Sequence, residues 1–137
     1  MLAFITSLLL ANSSPNAVSA KVLAPAIIQV AKARGVDPVL LTRIILVESR
    51  GVASAVNLAT DDHGLLQINE STRVRYGFSN QCLKNWRCNL DAGALILSDL
   101  LAIKGSRTCT FNLGPKGRFL KYQEACLRYE RKIASIN

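Results

Sequence analysis

Glu48 interrupts an apolar stripe. Leu40, Leu41, Ile44 and Ile45 recur at helical spacing, and Glu48 lies four residues past Ile44 and three past Ile45, where the next core residue belongs. Its helical neighbours at three and four residues are Ile44, Ile45, Gly51 and Val52, so no local cation accounts for it. A carboxyl held at the buried end of a helix stays protonated near neutral pH and suits a general acid. The alternative is a glutamate rolled out to solvent where the helix frays, and spacing alone leaves both readings open. A second stretch, Asp61-Asp62-His63-Gly64-Leu65-Leu66-Gln67-Ile68-Asn69, sets two amides beside apolar residues after a glycine that permits close backbone approach. Amides both donate and accept, which suits hydroxyl and acetamido groups as well as a loop packed on a core. A third stretch, Phe111-Asn112-Leu113-Gly114-Pro115, taken by itself is ordinary turn chemistry.

The elements that must position these residues read as helices. Asp37 is a capping residue and Pro38 fits the first helical position, so a helix runs from there through Glu48 until Gly51 stops it. Ahead of it, Ala24 to Arg34 forms a helix with Ile27, Ile28, Val30 and Ala31 inward. Residues 52–62 form a loop, with a small hairpin between Asn57 and Asn69, and Glu70 to Tyr76 a short helix. Ser79 to Arg87 is turn-rich and holds Trp86. Asn89 caps a helix from Leu90 to Lys104 that buries Leu90, Gly93, Ala94, Leu97, Leu100 and Leu101. Gly93 in its middle costs about 1 kcal/mol against alanine and so points to a close helix contact. Thr108 to Leu113 is a short turn or helix. A final helix from Gly117 to Ile136 aligns Tyr122, Cys126, Tyr129, Ile133 and Ile136 at alternating spacings of four and three.

The chain has 137 residues, one domain's worth, with no internal repeat and no low-complexity tract. Residues 2–11 are apolar, too few to span a bilayer. They precede a polar stretch and Val18-Ser19-Ala20, small residues suited to signal peptidase. The expected division is a signal peptide over 1–20 and a mature domain over 21–137; an uncleaved surface or core helix is the alternative. All four cysteines lie in the mature part, which in an exported chain implies two disulfides. Of three possible pairings, Cys82–Cys88 with Cys109–Cys126 closes two local loops and is the expected one. Zinc is a poor alternative, because no Cys-x-x-Cys pair exists and His63 is the single histidine. The net charge of +8 suits anionic polymers of an envelope. The basic residues are scattered without interleaved aromatics, which argues against nucleic acid as partner.

In this order the three stretches resemble the soluble lytic transglycosylases of the goose-lysozyme-like type. Glu48-Ser49-Arg50-Gly51 resembles the family's E-S-x-G signature. Gly64-Leu65-Leu66-Gln67-Ile68-Asn69 resembles G-L-M-Q-I-N with Leu66 for Met, and Phe111-Asn112-Leu113-Gly114 resembles Y-N-A-G with Phe111 for Tyr and Leu113 for Ala. Cys88-Asn89-Leu90-Asp91-Ala92-Gly93 is similar to the N-I-x-x-G helix start, and Tyr129-Glu130-Arg131-Lys132-Ile133 to Y-x-x-K-V. The likeness spans roughly residues 24 to 136. It implies a mainly α, lysozyme-like α+β fold with a glycan-binding groove. It implies Glu48 as catalytic acid and base beside Tyr129, and Ser49, Gln67, Asn69 and Asn112 as substrate-binding residues, with no cofactor and no metal. The implied substrate is the glycan strand of peptidoglycan, cut between N-acetylmuramic acid and N-acetylglucosamine with a 1,6-anhydro product. The implied setting is the periplasm or cell envelope, alongside secretion, conjugation, pilus or phage machinery and with no stable membrane span. Most glycosidases use two carboxylates, so a hydrolytic lysozyme using Asp61 or Asp62 is the nearest rival. A non-catalytic wall-binding assembly protein and a basic nucleic-acid binder are the others.

Overall fold

In the computed structural model, which describes residues 1–103, 105–114 and 120–137, the helix carrying Glu48 is α3, Pro38–Ser49. α1 is Leu2–Asn12 and α2 is Ala20–Arg34. The start of α3 is the predicted one: the Asp37 carboxylate accepts from the Val39 amide at 2.9 Å with Pro38 beside it. Its end falls earlier than Gly51. Arg50 already takes the left-handed conformation, φ 52°, and Gly51 follows at φ 81°. A β-carbon on Gly51 would stand 3.1 Å from the Ala17 β-carbon and 3.2 Å from Ser13 Oγ, so the glycine lets the N-terminal segment approach rather than ending the helix.

α2 begins at Ala20, four residues ahead of the predicted start. Pro25 lies inside it, where the missing amide forfeits one helical bond without ending the helix. Its buried face is Leu23, Ala24, Ile27 and Ala31; Ile28 and Val30, expected inward, are only half-buried. The apolar run at the N-terminus forms α1, which packs against α2 and α3 and buries Ile5, Leu8 and Leu9. After it, the Ser14 and Val18 amides donate to the Arg50 and Gly51 carbonyls, each at 2.9 Å. Among the described residues no helix is long and apolar enough to cross a membrane.

The expected hairpin is a three-stranded antiparallel sheet of two-residue strands. β1 Val56–Asn57 pairs with β2 Asp62–His63, which pairs with β3 Ile68–Asn69 in the order β1-β2-β3. α4, Glu70–Tyr76, follows directly and is capped by Asn69, whose side chain accepts from the Ser71 amide. The turn-rich segment contains a short helix, α5, Asn80–Lys84. α6 spans Trp86–Leu101, and this corrects the reading of Asn89. The cap is Asn85, which accepts from the Cys88 amide at 3.0 Å. Asn89 sits a turn inside, fully buried. It donates to the His63 and Leu83 carbonyls and accepts from the Leu66 amide. The polar group that resembled a helix start therefore ties the β2–β3 loop to α6.

Gly93 does mark a close contact, but with the Leu66 side chain rather than a helix: a β-carbon there would lie 2.1 Å from Leu66 Cδ1 and 2.7 Å from Leu66 Cβ. Leu101, expected in the core, is exposed at the end of α6, and the predicted end at Lys104 lies outside the described residues. α7 is Cys109–Leu113 and α8 is Gln123–Ser135, preceded by a 3-10 turn at Leu120–Tyr122; the predicted start at Gly117 also lies outside the described residues. α8 buries Cys126, Tyr129 and Ile133 and packs against α3 and α7. Both disulfides are the local pairs: Cys82–Cys88 joins α5 to α6, and Cys109–Cys126 joins α7 to α8. The result is mainly helical with one small sheet, the α+β arrangement of a lysozyme-like fold.

Candidate active site

α3 brings Glu48 to the edge of a groove of about 350 Å³. Leu66 and Ile96 line it from the loop and from α6, α4 contributes Ser71, Thr72 and Arg75, and α7 contributes Phe111, Asn112 and Leu113. Glu48 is half-buried and is not turned out to solvent at a frayed end. The Tyr129 hydroxyl, reaching across from α8, donates to Glu48 Oε1 at 2.7 Å. The Asn112 amide donates to the same oxygen at a longer 3.4 Å. With two donors among the described residues on Oε1, Oε2 is the atom those residues leave to carry a proton.

Burial pushes the Glu48 carboxyl above the usual carboxylate range. The hydrogen bonds from Tyr129 and Asn112 pull the other way, because they favour the ionised form; Asp62 adds to the rise and Lys132 opposes it. Burial is the largest of these influences and the net direction is upward. Tyr129 is only 6 % exposed, and burial together with the neighbouring Glu48 charge raises its hydroxyl far above the ordinary phenol value. Tyr129 thus stays a neutral donor at any working pH. The pair can hold a protonated carboxyl ready for a leaving oxygen and then steady the carboxylate left behind.

The remaining candidate residues divide. Gln67, with φ 47°, lines the groove, but its amide nitrogen donates to the Ala55 and Gly64 carbonyls at 2.9 and 3.0 Å. Among the described residues its amide oxygen is what remains for a ligand. Asn69 also lines the groove, yet its side chain is committed: the oxygen accepts from Ser71, and the nitrogen donates to the Thr60 carbonyl and to Asp62. Ser49 is not brought to the groove. Its buried hydroxyl donates to the Ile45 carbonyl at 3.1 Å and accepts from the Gly51 amide at 3.2 Å, which serves the turn after α3. Of the two aspartates, Asp62 lines the groove, and Asp61 turns to His63 Nε2 at 2.8 Å.

Sequence reasoning passed over the α4 wall. Thr72 and Arg75 lie three residues apart and Ser71 and Arg75 four, so helical spacing directly after the amide stretch was the available signal. The family model described as the transglycosylase SLT domain matches residues 25–115. That span holds Glu48, Gln67, Asn69 and Asn112 and stops short of Tyr129. No curated protein matches the chain.

Proposed function

Because the chain belongs to the transglycosylase SLT family, and is thus a lytic transglycosylase of peptidoglycan, we propose that Glu48 cuts the β-1,4 bond between N-acetylmuramic acid and N-acetylglucosamine. Glu48 Oε2 gives its proton to the glycosidic oxygen as the bond from that oxygen to the muramyl anomeric carbon breaks. The carboxylate so formed takes the proton of the muramyl 6-hydroxyl, whose oxygen bonds to the anomeric carbon. Glu48 ends protonated, no water is consumed, and the product is a 1,6-anhydro sugar. Tyr129 donates to the carboxylate through the charged stage, and Asn112 and the Gln67 amide oxygen address the sugar.

The observation that carries this reading is the half-buried Glu48 carboxyl on the groove, held by Tyr129 on one oxygen. Mass spectrometry of digested peptidoglycan tests it. The wild type should release 1,6-anhydromuramyl ends, and Glu48→Gln, which keeps the shape without the proton, should lose at least about a hundredfold in rate. An active Glu48→Gln variant would remove the catalytic assignment. Asp62 in the groove favours a second reading, a hydrolase with a second carboxylate. Reducing ends in the digest would establish it, with Asp62→Asn the next variant. The leader-like N-terminus and the paired cysteines support export to the periplasm, with local wall opening for a secretion, conjugation, pilus or phage machine as the setting.

A further inference from the structure

The two arginines of α4 are used differently. Arg73 Nε and Nη2 bond both carboxylate oxygens of Glu70 at 2.8 and 2.6 Å, and Nη1 donates to the Phe78 carbonyl at 2.8 Å. Its donors fasten the helix to the turn that follows. Arg75 is exposed, lines the groove that holds Glu48, and makes no ion pair among the described residues. Its guanidinium carbon lies over the Tyr76 ring at 5.8 Å from the centroid. That ring is itself fixed, stacked on Phe78 and donating its hydroxyl to Asp99 at 2.9 Å. A guanidinium leaning on an anchored ring keeps its in-plane N–H fork available for a planar anion.

Sugar rings alone give such a cation no charged partner. Muramyl units do: each bears a lactyl group that is either a free carboxylate or is extended by a peptide stem with its own carboxylates. On the reading of this groove as the glycan site, we propose that Arg75 is a specificity residue that pairs with a carboxylate of the muramyl substituent, so that charged strands are taken in preference to neutral ones. Thr72 stands beside it on the groove wall and offers its hydroxyl to the same group, whereas the Ser71 hydroxyl already donates to Asn69 Oδ1 at 2.7 Å.

The test is calorimetric binding to Glu48→Gln protein, which removes turnover from the measurement. The probes are stem-bearing glycan fragments, the same fragments with their carboxylates amidated, stem-stripped fragments with a free lactyl carboxylate, and neutral N-acetylglucosamine oligomers. Charged fragments should bind about tenfold more tightly than amidated ones, in the range of a charge-assisted hydrogen bond. Arg75→Gln should abolish that preference, Arg75→Lys should keep part of it, and added salt should weaken it. Whichever of the stem-stripped and stem-bearing fragments carries the preference identifies the carboxylate. Equal affinity for charged and amidated fragments, or an Arg75→Gln loss of the same size on both, would overturn the proposal. Wild-type turnover reads the function separately: charge-selective binding by a protein that releases no product would retain Arg75's role and end the catalytic reading.

Discussion

At the scale of single residues, the site turns on one hydrogen bond whose energetic sign is set by Glu48. The Tyr129 hydroxyl donates to Oε1 and favours the carboxylate, so it draws the Glu48 pKa down against the larger upward push of burial. A general acid must be protonated before the bond breaks, so the rate falls as pH rises through its pKa. Tyr129→Phe keeps the ring in its buried place and removes the donor. Glu48 should then titrate still higher, moving the alkaline limb of the pH–rate profile to higher pH while the maximal rate drops. A profile that keeps its position and height would make Tyr129 a packing residue only. Spacing marked Glu48 as out of pattern at the end of an apolar stripe and put Tyr129 in register with Cys126 and Ile133, but it was the resemblance to the lytic transglycosylases that set the two side by side. Ser49 and Asn69 were not. Their side chains are claimed by backbone groups and by Asp62, and hydrogen-bond competition of this kind leaves no trace in residue type or spacing.

At the scale of elements, helix existence was legible and helix partners were not. The periodicity that marks α3 and α8 and the side-chain caps of α3 and α4 are local, whereas Asn89 is decided by His63 and Leu66, more than twenty residues away. The same distinction gives the two disulfides different jobs. Cys109–Cys126 ties α7, which carries Asn112, to α8, which carries Tyr129. Among the described residues those are the two donors to Glu48. Cys82–Cys88 ties α5 to the start of α6 and touches neither. Replacing either pair with serines should cost about 2–5 kcal/mol of stability, as is usual for small secreted domains. The Cys109/Cys126 replacement should in addition lower the rate and shift the pH profile upward, because both donors lose their mutual anchor. The Cys82/Cys88 replacement should lower the thermal midpoint and leave the profile in place. Equal shifts from both replacements would show that the α7–α8 bond has no special bearing on the carboxyl.

At the scale of the whole molecule, the N-terminal segment whose sequence resembles a leader is packed into the core. In the full chain Ile5, Leu8 and Leu9 are buried, Asn12 donates to the terminal Asn137 carbonyl, and the Ser14 and Val18 amides close onto the turn after Glu48 and Ser49. The three small residues that suggest cleavage end at Ala20, the first residue of α2, with Ser19 as its cap position. Val18 is half-buried and bonded to Gly51, so a peptidase would have to act before this packing forms. A chain starting at Lys21 loses α1, the cap position of α2 and both bonds to the Arg50–Gly51 turn. Nevertheless, the Glu48–Tyr129 pair is made by α3 and α8 and needs none of these. Amino-terminal sequencing of exported material should therefore begin at Lys21. That protein should melt at a lower temperature than the full chain and bind a hydrophobic dye at the uncovered α2 and α3 faces, while still releasing product. Exported protein that retains Met1 would instead make α1 a permanent core helix. In that case deleting residues 1–20 should cost stability while the remaining chain keeps its activity, because the turn that ends the Glu48 helix would lose the two amides bonded to its carbonyls but the Glu48–Tyr129 pair would stand.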